Sequence, residues 1–168
     1  MLELGKPGST GTKGETPVLR DGVVVATLRA SSWKEAATAV VGGREWIFTR
    51  RKGELTARRG VDPEHAVRFR ARQTSWWKGS WAVDLEGSSV EVEKASMWKG
   101  THRYSSGGRP VAESGSTGGW SPRPTLAVHG DLTDDQQVFL LWLELVVSRR
   151  HQAAMTAGIG AAVVGGSS

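Results

Sequence analysis

Five cations stand close together in this chain: Arg50, Arg51 and Lys52, then Arg58 and Arg59, with Glu54 the single carboxylate among them. Guanidinium and ammonium groups without matching acids offer charge-assisted hydrogen bonds to a phosphate or carboxylate. They form the candidate anion or lipid site, weighed against an ordinary solvated turn. A second basic stripe, Arg68, Arg70 and Arg72, alternates along one segment, and Asp84, Glu86, Glu91 and Glu93 alternate in the segments beyond it. Antiparallel pairing would set Arg against carboxylate, so cross-strand ion pairs are the favoured reading there. Trp76, Trp77 and Trp81 beside Lys78 have the composition of a stacking platform for bases or an interfacial anchor for lipid. Alternation sends Trp81 inward with Val83 and Leu85, so that only Trp76 or Trp77 is left for the surface, and packing in the core or at a strand end is the favoured reading of the group.

Catalytic chemistry finds less support. There is no Cys, hence no thiol nucleophile, thiolate metal site or disulfide. The four His are far apart without metal-ligand spacing and read as surface residues. The Gly, Lys and Thr near the N-terminus miss the spacing of a phosphate loop. No acidic calcium loop is present. Gly115-Ser-Thr-Gly118 lacks the following helix that a seryl nucleophile requires. Glu144 stands alone inside an apolar run. It is expected to reach an Arg or a backbone N–H at a barrel end, the alternative being a carboxylate lining a central cavity. No catalytic residue, metal or cofactor is expected.

These groups must be positioned by β structure. From about Thr16 the apolar period is two. Val18–Asp21 and Val23–Arg29 flank an Asp-Gly turn, and Gly42-Gly43 repeats the device between Ala37–Val41 and Glu45–Arg50. Glu54–Arg58, Val67–Arg72, Trp81–Glu86, Ser89–Glu93, Thr101–Tyr104, Arg109–Glu113 and Thr125–His129 continue the series. Trp77-Lys-Gly79 and Trp98-Lys-Gly100 echo each other one hairpin apart. Roughly ten short strands at regular spacing predict a sandwich or barrel.

The exception is Val138–Val147, apolar on nearly every face. A helix without a wet side must be surrounded by protein or lipid. The run has about half of the roughly 20 residues a bilayer span needs, so a shell of strands around it is expected. Thr133-Asp-Asp-Gln136 fits a capping box, and Ser148-Arg-Arg-His151 places cations near its end.

The hairpin series from Val18 to His129, the Gly87 turn, Pro124–Val128 and the helix at Val138–Val147 together resemble the tubby C-terminal-like superfamily, which includes tubby proteins, phospholipid scramblases and LURP-one-related proteins. The resemblance is one of pattern and order over residues 17–150, without an invariant motif. It implies a closed antiparallel barrel of about 10–12 strands around a central hydrophobic C-terminal helix. It also implies association with phospholipid, although no ligand residue of the family maps onto a motif here.

The expected organisation is a flexible tail over 1–16, the barrel over 17–150 with its helix near 133–150, and a flexible tail of small residues over 151–168. A formal charge of +5 and a pI of about 10.0 suit an anionic partner. An Arg-, Ala-, Gly- and Val-rich composition also fits a GC-rich bacterial genome. The beginning of the chain has no apolar core of a signal peptide, so a cytoplasmic location is expected, peripheral at the membrane if lipid is bound. The leading reading is a non-catalytic module associating with anionic phospholipid through a basic surface. The alternatives are a nucleic-acid-binding barrel and an enzyme whose site the sequence does not reveal. Oligomeric state is not legible.

Overall fold

The computed structural model describes residues 1–164, of which 159–164 as backbone only. Twelve strands close into one antiparallel barrel. In chain order they are β1 (Leu2–Leu4), β2 (Thr16–Arg20), β3 (Val23–Ala30), β4 (Ala36–Val41), β5 (Arg44–Arg51), β6 (Glu54–Arg59), β7 (Phe69–Ser75), β8 (Ser80–Leu85), β9 (Ser88–Ser96), β10 (Thr101–Ser106), β11 (Arg109–Thr117) and β12 (Arg123–Val128). Each pairs with its sequence neighbour, and β1 pairs with both β2 and β12 to close the wall. Closure leaves no unpaired strand edge.

Leu2–Leu4 falls within the stretch expected to be a flexible tail. The structure corrects this: Leu2 and Leu4 are buried, and Leu2 stands opposite both Arg20 and Leu126. A three-residue strand carries almost no periodic signal of its own. It is fixed by the two ladders it joins.

The helix α1 (Asp134–Val164) threads this shell. Eight consecutive residues, Gln137–Glu144, are buried. Successive helical side chains are about 100° apart, so burial on every side requires walls on every side. Phe48 and Phe69 meet Phe139 at 5.6 and 5.5 Å between ring centroids, and Phe48 meets Trp142 at 5.1 Å. Ala37, Ala39, Ala57, Ala71 and Ala112 are the small inward residues of other wall positions, which leaves room for the helix where a large side chain would collide.

Both ends of the buried segment are pinned. At the base, Thr133 and Gln136 form the expected capping box: the Thr133 N–H donates to Gln136 Oε1 at 2.9 Å, and the Gln136 N–H donates to Thr133 Oγ1 at 3.3 Å. Arg20 donates to Asp134 at 2.7 Å, and Arg44 and the Trp46 indole both donate to Asp135. At the opposite rim Arg150 makes two bonds to Glu35, at 2.7 and 2.6 Å, and its guanidinium lies 5.3 Å from the centre of the Trp81 ring. Arg149 donates to the carbonyl of Ser31.

The helix does not stop near the expected 150 but continues to Val164. Residues 165–168 of the expected tail lie outside the described residues.

Candidate functional site

An up-and-down barrel sorts its connections between two ends. Four of the base connections, at Asp21-Gly22, Gly42-Gly43, Glu86-Gly87 and Gly107-Gly108, are two-residue turns with positive φ at both positions, the geometry that matches strand twist. The rim, from which the helix emerges, has longer connections: 5–15, 31–35, 76–79, 97–100 and 118–122, besides the tight turn at Lys52-Gly53.

The five candidate cations do not form one site. Arg50, Arg51 and Lys52 lie at the rim, whereas Arg58 and Arg59 lie at the base end of the same hairpin, opposite Ile47 and Trp46. Arg50 and Arg51 stand opposite Leu55 and Glu54, three and four rungs of the ladder from Arg58, a separation that a sequence window cannot show. Arg50 lies 3.8 Å from Glu35. Arg58 donates to the carbonyl of Asp62 at 3.0 Å, and the Arg59 guanidinium lies 5.6 Å from the Trp46 ring. Arg51 and Lys52 do line a hollow on the outer wall, with Glu54, Thr56, His65 and Arg70.

Of the arginine stripe at the start of β7, only the pair Arg68–Glu86 follows the expected cross-strand pattern; among the described residues the other partners are Asp62 and Glu54, and Asp84, Glu91 and Glu93 take no part. Arg68 reaches Asp62 at 2.8 Å and Glu86 at 3.1 Å, and Arg70 reaches Glu54 at 3.4 Å. The guanidinium of Arg68 holds the Asp62 carboxyl below its ordinary value. At the rim, the hydrogen bonds from Arg150 hold Glu35 below its ordinary value against the opposing effect of burial. Arg72 stands opposite Ala82 and has no ion pair among the described residues.

Glu144 meets neither expected partner. Its carboxylate lies in mid-barrel, 3.1 Å from His102 Nδ1, and accepts the Tyr104 hydroxyl. His102 is therefore buried, which corrects the expectation of a surface histidine. Its N–H backbone group donates to Ser114 Oγ at 2.8 Å, and its Nε2 has no hydrogen-bond partner. Burial pushes the Tyr104 phenol well above its usual value, and the neighbouring Glu144 charge adds to the effect. Period-two alternation puts His102 and Tyr104 on one face, so their shared inward direction was readable. Their meeting with a helical carboxylate was not.

The eight Trp divide cleanly. Trp46, Trp81 and Trp142 are buried; Trp33, Trp76, Trp77, Trp98 and Trp120 retain between 73% and 105% of full exposure. All five exposed Trp sit in rim connections, and both Trp76 and Trp77 are exposed. Three of these connections share one construction: Ser31-Ser-Trp-Lys34, Ser75-Trp-Trp-Lys78 and Ser96-Met-Trp-Lys99. In each, the Ser hydroxyl oxygen accepts the backbone N–H of the Lys three residues on, at 3.1, 3.2 and 3.2 Å, a local side-chain-to-backbone bond that closes the loop around the intervening Trp. Gly79 and Gly100 then close two of them at positive φ. The Trp-Lys-Gly echo gave two copies; the copy at Trp33 ends in Glu35 and escaped it.

No family model matches this chain, and neither does any curated protein or solved structure.

Proposed function

We propose that this barrel is a non-catalytic module of tubby-like type that binds the surface of an anionic membrane with its rim. The observation that carries this reading is the confinement of all five exposed Trp to one end of the barrel, three of them beside a Lys. Large exposed apolar side chains gathered at one end of a molecule mark an interaction site. Trp prefers the zone between headgroups and acyl chains, and Lys adds attraction to anionic lipid of about 1 kcal/mol per residue. Arg51 and Lys52 belong to the same end.

The outer wall supports contact at the rim rather than insertion of the barrel. Arg70, Asp84, Glu91, Glu93, Arg103 and Glu113 point outward and are exposed, and charge on a lipid-facing wall is costly. Among the described residues no helix is long and apolar enough to cross a membrane. The twelve-stranded barrel around a C-terminal helix supports the tubby-like part of the reading.

Co-flotation with phosphatidylserine-containing vesicles tests it. Binding that weakens with salt and is lost in the Trp77→Ser, Trp98→Ser double variant is expected. Equal binding by that variant, or preference for single-stranded oligonucleotide over vesicles, would overturn it and favour the nucleic-acid alternative.

A further inference from the structure

We propose that α1 beyond Arg150 is an anchor entering one leaflet of the bilayer, so that the barrel stands upright on its tryptophan rim. The inference rests on the membrane reading above and adds a second, independently placed element to it. The helix leaves through the rim that carries the exposed Trp, held at its exit by the Arg150–Glu35 and Arg149–Ser31 bonds. Every residue from His151 to Gly158 is exposed. From Gln152 to Val164 the sequence contains no charged residue, and over His151–Gly158 no protein wall among the described residues covers the helix.

Its length suits a leaflet. Fourteen residues follow Arg150 in the helix, a reach of about 21 Å at 1.5 Å per residue. Half the hydrocarbon core plus one headgroup layer is also about 21 Å. With the helix inserted to that depth, the Trp side chains come to the interface they favour, and Lys34, Lys78, Lys99 and Arg149 lie at the level of anionic headgroups. Charge complementarity and depth thus agree on one occupant. A nucleic acid would use the Trp and Lys but leave the uncharged helix end in water.

The absence of Cys makes the test direct. In the full chain, Ala157→Cys on the protruding helix and Val23→Cys at the base each receive an environment-sensitive nitrobenzoxadiazole label. With phosphatidylcholine–phosphatidylserine vesicles, the label at 157 shifts to the blue and is quenched by acyl-brominated lipid, while that at 23 does neither. An unlabelled Met155→Glu variant loses vesicle affinity about tenfold or more. A label at 157 that stays in water while the protein still co-floats overturns the anchor and leaves the membrane reading standing. Failure of the wild-type chain to co-float overturns that reading itself. A blue shift at 157 without vesicles shows a second copy of the chain covering the helix, and also overturns the anchor.

Discussion

Glu144 and His102 lie 42 positions apart in the chain and meet at 3.1 Å inside the barrel, where the Tyr104 hydroxyl donates to the same carboxylate. The carboxylate is the central helix's polar link to β10. Replacing it with Leu strands two buried polar groups, each costing about 1–3 kcal/mol when left unpaired. Glu144→Leu should therefore lower the unfolding free energy by about 3 kcal/mol, and Glu144→Gln by less. Urea unfolding measures both. Equal stability of Glu144→Leu and wild type would mean the cluster contributes nothing.

Tyr104 gives this cluster a pH signature. Its folded-state value lies well above the ordinary one near 10.0, so above that pH the folded chain holds a proton that the unfolded chain releases. Stability is then fully present below pH of about 10 and falls as the pH rises toward the folded value. Tyr104→Phe should be less stable at neutral pH yet show a shallower alkaline decline. Parallel alkaline slopes for the two proteins would contradict the assignment.

The helix should be required for folding. Trp142 and Leu140 are among the largest fully buried side chains, and truncation of such residues costs about 2–5 kcal/mol. A 1–131 fragment, lacking α1, is expected to be insoluble or molten. In the intact protein Trp142 should be shielded from iodide while the rim Trp are quenched. Cooperative unfolding of the soluble fragment would sink the central-helix account.

Rim and base cations should behave differently toward lipid. Neutralising Lys34, Lys78 and Lys99 to Gln removes about 3 kcal/mol of attraction at an anionic surface, roughly a hundredfold in affinity. It should also flatten the salt dependence. Arg58→Gln with Arg59→Gln, at the far end of the barrel, should bind like wild type. Equal losses from both variants would place the lipid surface elsewhere.

Local pattern determined much of this protein. Alternation defined most strands, Asp-Gly and Gly-Gly fixed tight turns, and Thr133 with Gln136 fixed the helix start. An apolar run without a wet face demanded an enclosing shell. Each of these is set by neighbours within one or two turns of chain, where side-chain period and turn chemistry act. What tertiary structure decided were relations between distant segments: β1 closing the wall at Leu2, Glu144 reaching His102 and Tyr104, and the parting of Arg50–Lys52 from Arg58 and Arg59. The gathering of Trp33, Trp77, Trp98 and Trp120 at one rim belongs with them. In a closed meander every second connection falls at the same end. Residues in alternate turns, far apart in sequence, become neighbours around one circle only when the barrel closes.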